Sequence, residues 1–72
     1  MNTQEFKGTV DKYRKIRGIR TQEQLRHHTS VGSNTTFSKY LKYPDQMPVY
    51  VMEQIFQALN VPREERRTCL GL

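Results

Sequence analysis

The sequence predicts an all-α fold, a bundle of four to five helices that forms a single domain over residues 1–72. Apolar side chains recur every three or four residues in several segments, as they do on the buried face of a helix. Glycines and prolines stand between these segments, where they are typical of helix ends. No stretch shows the sustained alternation of polar and apolar residues that predicts a strand.

The first predicted helix covers residues 3–17. Asn2 and Glu5 have the spacing of an N-terminal capping pair. Gly18 fits the end of this helix, because glycine readily adopts the left-handed conformation common at that position. The side chains expected on the buried face are Phe6, Val10, Tyr13 and either Ile16 or Arg17.

A two-helix unit is predicted for about residues 21–42. Thr21 and Gln24 have the capping-box pattern, which predicts a short helix from Gln22 to His28. The only strongly apolar side chain of this helix is Leu25. A helix this short seldom forms alone, so we expect packing of Leu25 against neighbouring helices to stabilise it.

The second helix of the unit follows a turn in which Val31 is expected to point inward and Gly32 to supply backbone freedom. Ser33 is the expected N-cap. Three apolar side chains at i, i+3 and i+4 share the face that we expect to pack on the core. They are Phe37, Tyr40 and Leu41. The opposite face carries short polar and basic side chains, namely Asn34, Thr35, Ser38, Lys39 and Lys42.

The most hydrophobic segment is a predicted helix that starts near Pro48 and stops at Asn60. Proline in the first turn of a helix loses no hydrogen bond, and Asn is a common left-handed stop. The residues expected in the core are Val51, Met52, Ile55, Phe56 and Leu59. Pro62 is expected to open a further short helix over residues 63–69.

Positive charge is concentrated in the half of the chain that contains the two-helix unit. The net charge is +5. Residues 1–42 contain nine Lys and Arg against three Asp and Glu, whereas residues 43–72 contain three against four. A basic surface favours an acidic partner, most often nucleic acid.

Other classes of function fit the sequence poorly. The single cysteine, Cys69, excludes an intramolecular disulfide and favours a reducing, intracellular setting. Adjacent helical residues point in different directions, so His27 and His28 are interpreted as surface residues rather than a metal pair. No apolar run is long enough to span a bilayer. We therefore expect no enzymatic activity, cofactor, metal, membrane or small-molecule substrate.

Three segments, in this order, point to a known family. They are GIRTQEQL at 18–25, SNTTFSKYL at 33–41 and ALNVP at 58–62. Over roughly residues 10–65 the chain resembles the phage repressor and Cro-like class of helix-turn-helix regulators. It departs from the class at the junction of the two helices, where Arg26 replaces the usual Ala and the turn is about one residue longer.

The resemblance implies a lambda-repressor-like domain that binds double-stranded DNA in the bacterial cytoplasm or nucleoid, often as a homodimer, with its third helix in the major groove. Asn matches adenine N6 and N7, while Ser, Thr and Lys can bond to several bases. The residues expected to read bases are Ser33, Asn34, Thr35, Ser38 and Lys39. The residues expected to bind phosphate are Arg17, Arg20, Gln22, Lys42 and Tyr43. The residues expected in a dimer patch include Val61, Leu70 and Leu72.

Several alternatives stay open. Asn34 and Thr35 could be first-turn residues with good capping chemistry and no further role. Lys39 and Lys42 could belong to an ordinary solvated face. The same bundle could be a protein-interaction adaptor of the antitoxin or anti-repressor type, which would expose an apolar patch. Charge alone also allows an RNA-binding module, although no glycine-rich clamp is present.

Overall fold

Five α-helices and one 3₁₀ turn make up the protein, in a computed structural model that describes all of residues 1–72. The helices are α1 (Thr3–Ile16), α2 (Gln22–Arg26), α3 (Asn34–Lys42), α4 (Val49–Leu59) and α5 (Arg63–Cys69), with the 3₁₀ turn at Pro44–Gln46. No strand is present, so the predicted all-α bundle is confirmed. None of the helices has the length and apolar character needed to cross a membrane.

The core is built around α4, whose five predicted inward side chains are all buried. Phe6 of α1 meets Phe56 of α4 edge to face, with ring centroids 5.9 Å apart. Such aromatic pairs add about 0.5–1.5 kcal/mol beyond the burial of their area. Leu25 of α2 and Phe37 of α3 are fully buried in the same cluster, and Cys69 joins it from α5. One core therefore holds all five helices.

The predicted helix ends are confirmed at four positions. The backbone N–H of Glu5 donates to Asn2 Oδ1 at 3.1 Å. Thr21 and Gln24 exchange both bonds of the capping box at the start of α2. Gly18 has φ +72° after α1, and Asn60 has φ +50° after α4. These contacts span three or four residues, so the local sequence is sufficient to specify them.

The end of α2 and its turn differ from the prediction. The helix stops at Arg26 rather than His28, because the Thr29 hydroxyl and N–H both donate to the Arg26 carbonyl, at 2.7 and 2.8 Å. Val31 packs against the core as expected. Gly32 does not have a positive φ, and a Cβ there would meet nothing within 4 Å. The turn therefore does not need the glycine, which corrects the role expected for it.

The structure adds one feature at the periphery of the core and corrects one expectation there. The connection between α3 and α4 contains the 3₁₀ turn, and its Pro44 and Met47 are buried. Val61 is only 2% exposed, so it belongs to the core and not to a dimer patch. Leu70 and Leu72 are exposed, at 38% and 78%. They are the residues of the expected patch that solvent reaches.

Candidate nucleic-acid interface

The outward face of α3 is set by the apolar face opposite to it. Phe37 is fully buried, and Tyr40 and Leu41 pack against the core as partly buried side chains. The Ser33 hydroxyl accepts from the Thr36 N–H at 3.4 Å and caps the helix. The orientation predicted for this helix is therefore confirmed. Its polar and basic side chains project into solvent.

A shallow concavity runs along this outward face. Its lining is made of six exposed residues, all from α3 and the residue that follows it. They are Asn34, Thr35, Ser38, Lys39, Lys42 and Tyr43. The surface combines a carboxamide, hydroxyls and two ammonium groups, which are the side-chain types that bond to base edges and phosphates. Four predicted base-reading residues thus share one surface with two predicted phosphate-binding residues.

The two lysines of the concavity have no acidic partner. The four ion pairs of the structure use Lys12, Arg14, Lys15 and Arg26 as their cations. Lys42 instead lies 5.5 Å from the centroid of the Tyr43 ring, and Lys39 makes no ion pair. A cation without a carboxylate partner is available to neutralise a phosphate and release its condensed counterion.

Arg26 joins α2 to the first residue of α3. Its Nε donates to the side-chain oxygen of Asn34, and its Nη1 donates to the Val31 carbonyl at 3.0 Å. Its Nη2 lies 3.9 Å from a carboxylate oxygen of Glu23. Arg26, which stands where the resembling class usually has Ala, therefore fixes the junction between the two helices.

The turn between α2 and α3 is also fixed to α4. The side-chain oxygen of Gln54 accepts from both the backbone N–H and the hydroxyl of Ser30, at 3.0 and 3.2 Å. Sequence reasoning assigned no role to Gln54, because its partner lies 24 positions away. Together with Arg26, it restrains the segment that sets the direction of α3.

Gln22 lies outside the concavity, in a neighbouring groove between α1 and α2. It is exposed at the first position of α2. The groove is also lined by Lys7 and Arg14, above a floor that includes Phe6 and Leu25. Lys7 was not predicted as a site residue. Its pattern within α1 indicates only an exposed side chain, and its position beside Gln22 depends on how the two helices pack.

Arg17 and Arg20 occupy different environments. The Arg17 guanidinium donates to the carbonyls of Leu59 at 2.8 Å and Asn60 at 3.3 Å, so it satisfies orphan carbonyls at the C-terminus of α4. The side chain of Arg20 is exposed and makes no hydrogen bond or ion pair. Its carbonyl accepts from Arg14 Nη1 at 2.7 Å. Of the two predicted phosphate ligands, only Arg20 has an uncommitted guanidinium.

Ser33 is separated from the other predicted base-reading residues. It lies in a third shallow groove, together with Val31, Tyr40 and Tyr50. Its hydroxyl oxygen already accepts from the Thr36 N–H. The structure therefore favours a capping role for Ser33 over a place on the concavity.

The displaced pKa values belong to groups away from α3. The Tyr13 hydroxyl and then the Lys12 ammonium lower the pKa of Glu65, and the same carboxylate raises the pKa of both partners. Lys12 Nζ lies 3.1 Å from Glu65 Oε1. Burial raises the pKa of the Cys69 thiol. These groups join α1 to α5 and lie outside the concavity.

No group of three or more His, Cys, Asp or Glu side chains is close enough to hold a metal ion. His27 and His28 are exposed at the end of α2. Comparisons with protein-family models, curated proteins and solved structures found no match to this chain. The concavity on α3 is thus interpreted from its own residues.

Proposed function

We propose that this protein binds double-stranded DNA sequence-specifically, as a small transcriptional regulator related to those of phages and other mobile elements. The observation that carries the proposal is the division of α3 into two faces. Its apolar face packs against the core, and its outward face gathers polar and unpaired cationic side chains in one concavity. We propose that α3 enters the major groove with this concavity against the base edges.

The dimensions of α3 support this use. At about 1.5 Å per residue, a nine-residue helix is roughly 13 Å long. The major groove is about 12 Å wide and admits one helix, whose diameter with side chains is about 10–12 Å. A helix of this length reaches only a few base pairs, which favours binding as a two-fold homodimer on two half-sites. The exposed Leu70 and Leu72 are candidates for the dimer contact.

The side chains divide into readers and anchors by their chemistry. Asn34, Thr35, Ser38 and Lys39 project from the body of α3 and are the proposed base contacts. Phosphate contacts set the register of a protein on the duplex, and the proposed set comprises Lys42 and Tyr43 at the end of α3 with Lys7, Arg20 and Gln22 near the start of α2. Lys7 joins this set because it lies in one groove with Gln22.

A second candidate function is a protein-interaction adaptor on the same bundle. The observation that favours it is the exposed pair Val49 and Tyr50 at the start of α4, with exposures of 72% and 60%. An adaptor of this kind would bind DNA only through charge. Its DNA binding would show no preference among sequences and would disappear at high salt.

Selection of duplexes from a randomised pool, followed by titration, tests the proposal. The selected duplex and a shuffled duplex are titrated at about 50 and 200 mM salt, a range over which purely electrostatic binding weakens steeply. We expect the selected duplex to bind at least about a thousandfold more tightly than the shuffled one. Equal affinities for the two duplexes would contradict the proposal and favour the adaptor.

A further inference from the structure

We infer that Arg26 orients Asn34 so that its side chain presents its N–H donors to DNA, and that Asn34 thereby reads an acceptor edge, namely N7 and O6 of guanine. The inference rests on the proposed DNA-binding function and names the base that the first residue of α3 selects. It also gives a purpose to the arginine at the junction between α2 and α3.

The guanidinium of Arg26 is held on three sides. It contacts Asn34, the Val31 carbonyl and the Glu23 carboxylate. The Arg26 side chain is only 15% exposed. It is therefore a fixed donor within the junction, whereas the carboxamide of Asn34 lies at the edge of the concavity.

The chemistry of arginine fixes which end of the carboxamide faces it. A guanidinium has five donors and no acceptor, so only the amide oxygen of Asn34 can bond to it. The amide nitrogen occupies the other end of the planar group. Because Asn34 is exposed and neither N–H group of this nitrogen makes a hydrogen bond within the protein, both donors are available to a ligand.

Adenine needs something different from Asn. Its major-groove edge presents the N7 acceptor and the N6 donor, and a bidentate Asn must supply an acceptor for N6. In this protein one of the two lone pairs of that oxygen is already bonded to a charged guanidinium, which turns the oxygen toward α2 and makes it a poorer acceptor for N6. Guanine presents two acceptors, N7 and O6, which match the two remaining N–H groups. Cytosine presents a donor at N4 and is disfavoured. We therefore expect Asn34 to read guanine rather than adenine.

The position of Arg26 explains why a long side chain is required. Arg26 ends α2 and Asn34 begins α3, eight positions further along the chain and across the whole turn. Alanine, the residue usual in the resembling family, could not reach across this distance. Arg26 is proposed as a positioning residue, since it acts on DNA through Asn34 and not by direct contact.

The test measures the base preference at every position of a duplex selected from a randomised pool. The variants are Arg26→Ala, Asn34→Ala and the double variant, with Glu23→Gln as a matched control that removes only the ion pair of Arg26. We expect the wild-type protein and Glu23→Gln to prefer guanine at one position by roughly tenfold, within the range for a good bidentate contact. Asn34→Ala abolishes that preference.

The double variant separates positioning from general stabilisation. Arg26→Ala frees the Asn34 oxygen, so the preference shifts from guanine toward adenine. In the Asn34→Ala background the same change has no further effect on preference. Asn34→Asp keeps the acceptor for Arg26 and loses both donors, so its preference moves to cytosine, whose N4 donates. This last variant carries the test even if Arg26→Ala does not fold, as judged by circular dichroism.

Four results overturn the inference. The first is a wild-type preference for adenine that Asn34→Ala removes. The second is an Asn34→Asp variant that still selects guanine. The third is an effect of Arg26→Ala on preference that persists in the Asn34→Ala background. The fourth is a sequence preference that Asn34→Ala leaves intact, which would retain the proposed function and reject this inference. A wild-type protein with no sequence preference would reject both.

Discussion

Two cationic regions of this molecule differ in what their charges contact. Where α1 packs near α4 and α5, Lys12 pairs with Glu65, and the Arg17 and Arg66 guanidinium groups donate to backbone carbonyls at 2.8 Å. On the outward face of α3, Lys39 and Lys42 have no acidic partner. The net charge of a basic protein does not show which surface could bind an anion. That depends on which cationic side chains have no partner within the protein.

The contacts that Arg17 and Arg66 make with backbone carbonyls have a structural reason. The last carbonyls of a helix have no partner within the helix, and the planar fork of arginine can donate to two oxygens at once. Arg17 does this at the end of α4, and Arg66 donates to the carbonyls of Val61 and Phe56. The ammonium groups of the lysines of α3 make no hydrogen bond or ion pair within the protein, so solvent or a ligand must satisfy them.

The largest effect is expected where α3 is anchored. Phe37→Ala empties a fully buried site and should lower the free energy of unfolding by about 3–5 kcal/mol. That is a large part of the total of about 5–15 kcal/mol available to a small domain. Urea denaturation monitored by circular dichroism measures it. Ser38→Ala, the exposed neighbour, should stay within about 0.5 kcal/mol of wild type. Similar values for the two variants would mean that Phe37 is not an anchor.

The next effect concerns the region whose cations already have partners within the protein. Arg17→Ala leaves two carbonyls without their donor and should lower the free energy of unfolding by about 1–2 kcal/mol. The slope of log affinity for DNA against log salt should not change, because the guanidinium is already occupied. If the slope instead decreases in magnitude by about 0.9, Arg17 binds phosphate, as the sequence predicted.

Substitutions of the unpaired lysines on α3 should change DNA binding and leave stability nearly unchanged. Lys42→Ala and Lys39→Ala should each leave stability within about 0.5 kcal/mol of wild type. Each variant that removes a phosphate contact should reduce the magnitude of the salt slope by about 0.9. Lys15→Ala is the matched control, since Lys15 is also exposed but pairs with Asp11 at 3.1 Å. If the slope decreases as much for Lys15→Ala, paired and unpaired cations contribute equally to DNA binding, and the prediction is wrong.

The smallest effect concerns pH and the contact between α1 and α5. The Tyr13 hydroxyl and Lys12 lower the pKa of Glu65 from its ordinary value of 4.5. A lowered pKa means that this carboxylate stabilises the fold above about pH 4.5 and that its contribution is lost as pH falls through the lowered pKa. The stability of wild type should therefore exceed that of Glu65→Gln at neutral pH, and the difference should shrink in acid. A constant difference in thermal melts across this range would contradict the prediction.

Sequence reasoning succeeded where the determining contact is local. The caps at Asn2 and Thr21 and the stop at Asn60 involve residues three or four positions apart, and all are present. The bounds of α5 also agree with the prediction. The end of α2 was wrong by two residues, because the Thr29 hydroxyl competes for the Arg26 carbonyl. The 3₁₀ turn at Pro44 was missed, since its burial depends on the helices around it.

The candidate site divides in the same way. Helical periodicity was sufficient to predict the outward position of Asn34, Thr35, Ser38, Lys39 and Lys42. It could not predict that Ser33 lies in another groove or that Lys7 lies beside Gln22. Those relations depend on the packing of helices that are distant in the chain.

The sequence by itself determined that this protein is a helical bundle and which side of α3 faces outward, because both follow from the spacing of apolar residues along one helix. The tertiary structure decided which cations remain free. Arg17 finds its partner 42 positions away, and Arg26 finds Asn34 across a turn. A long flexible side chain bonds to whichever acceptor the fold brings within reach, and no local pattern records that acceptor.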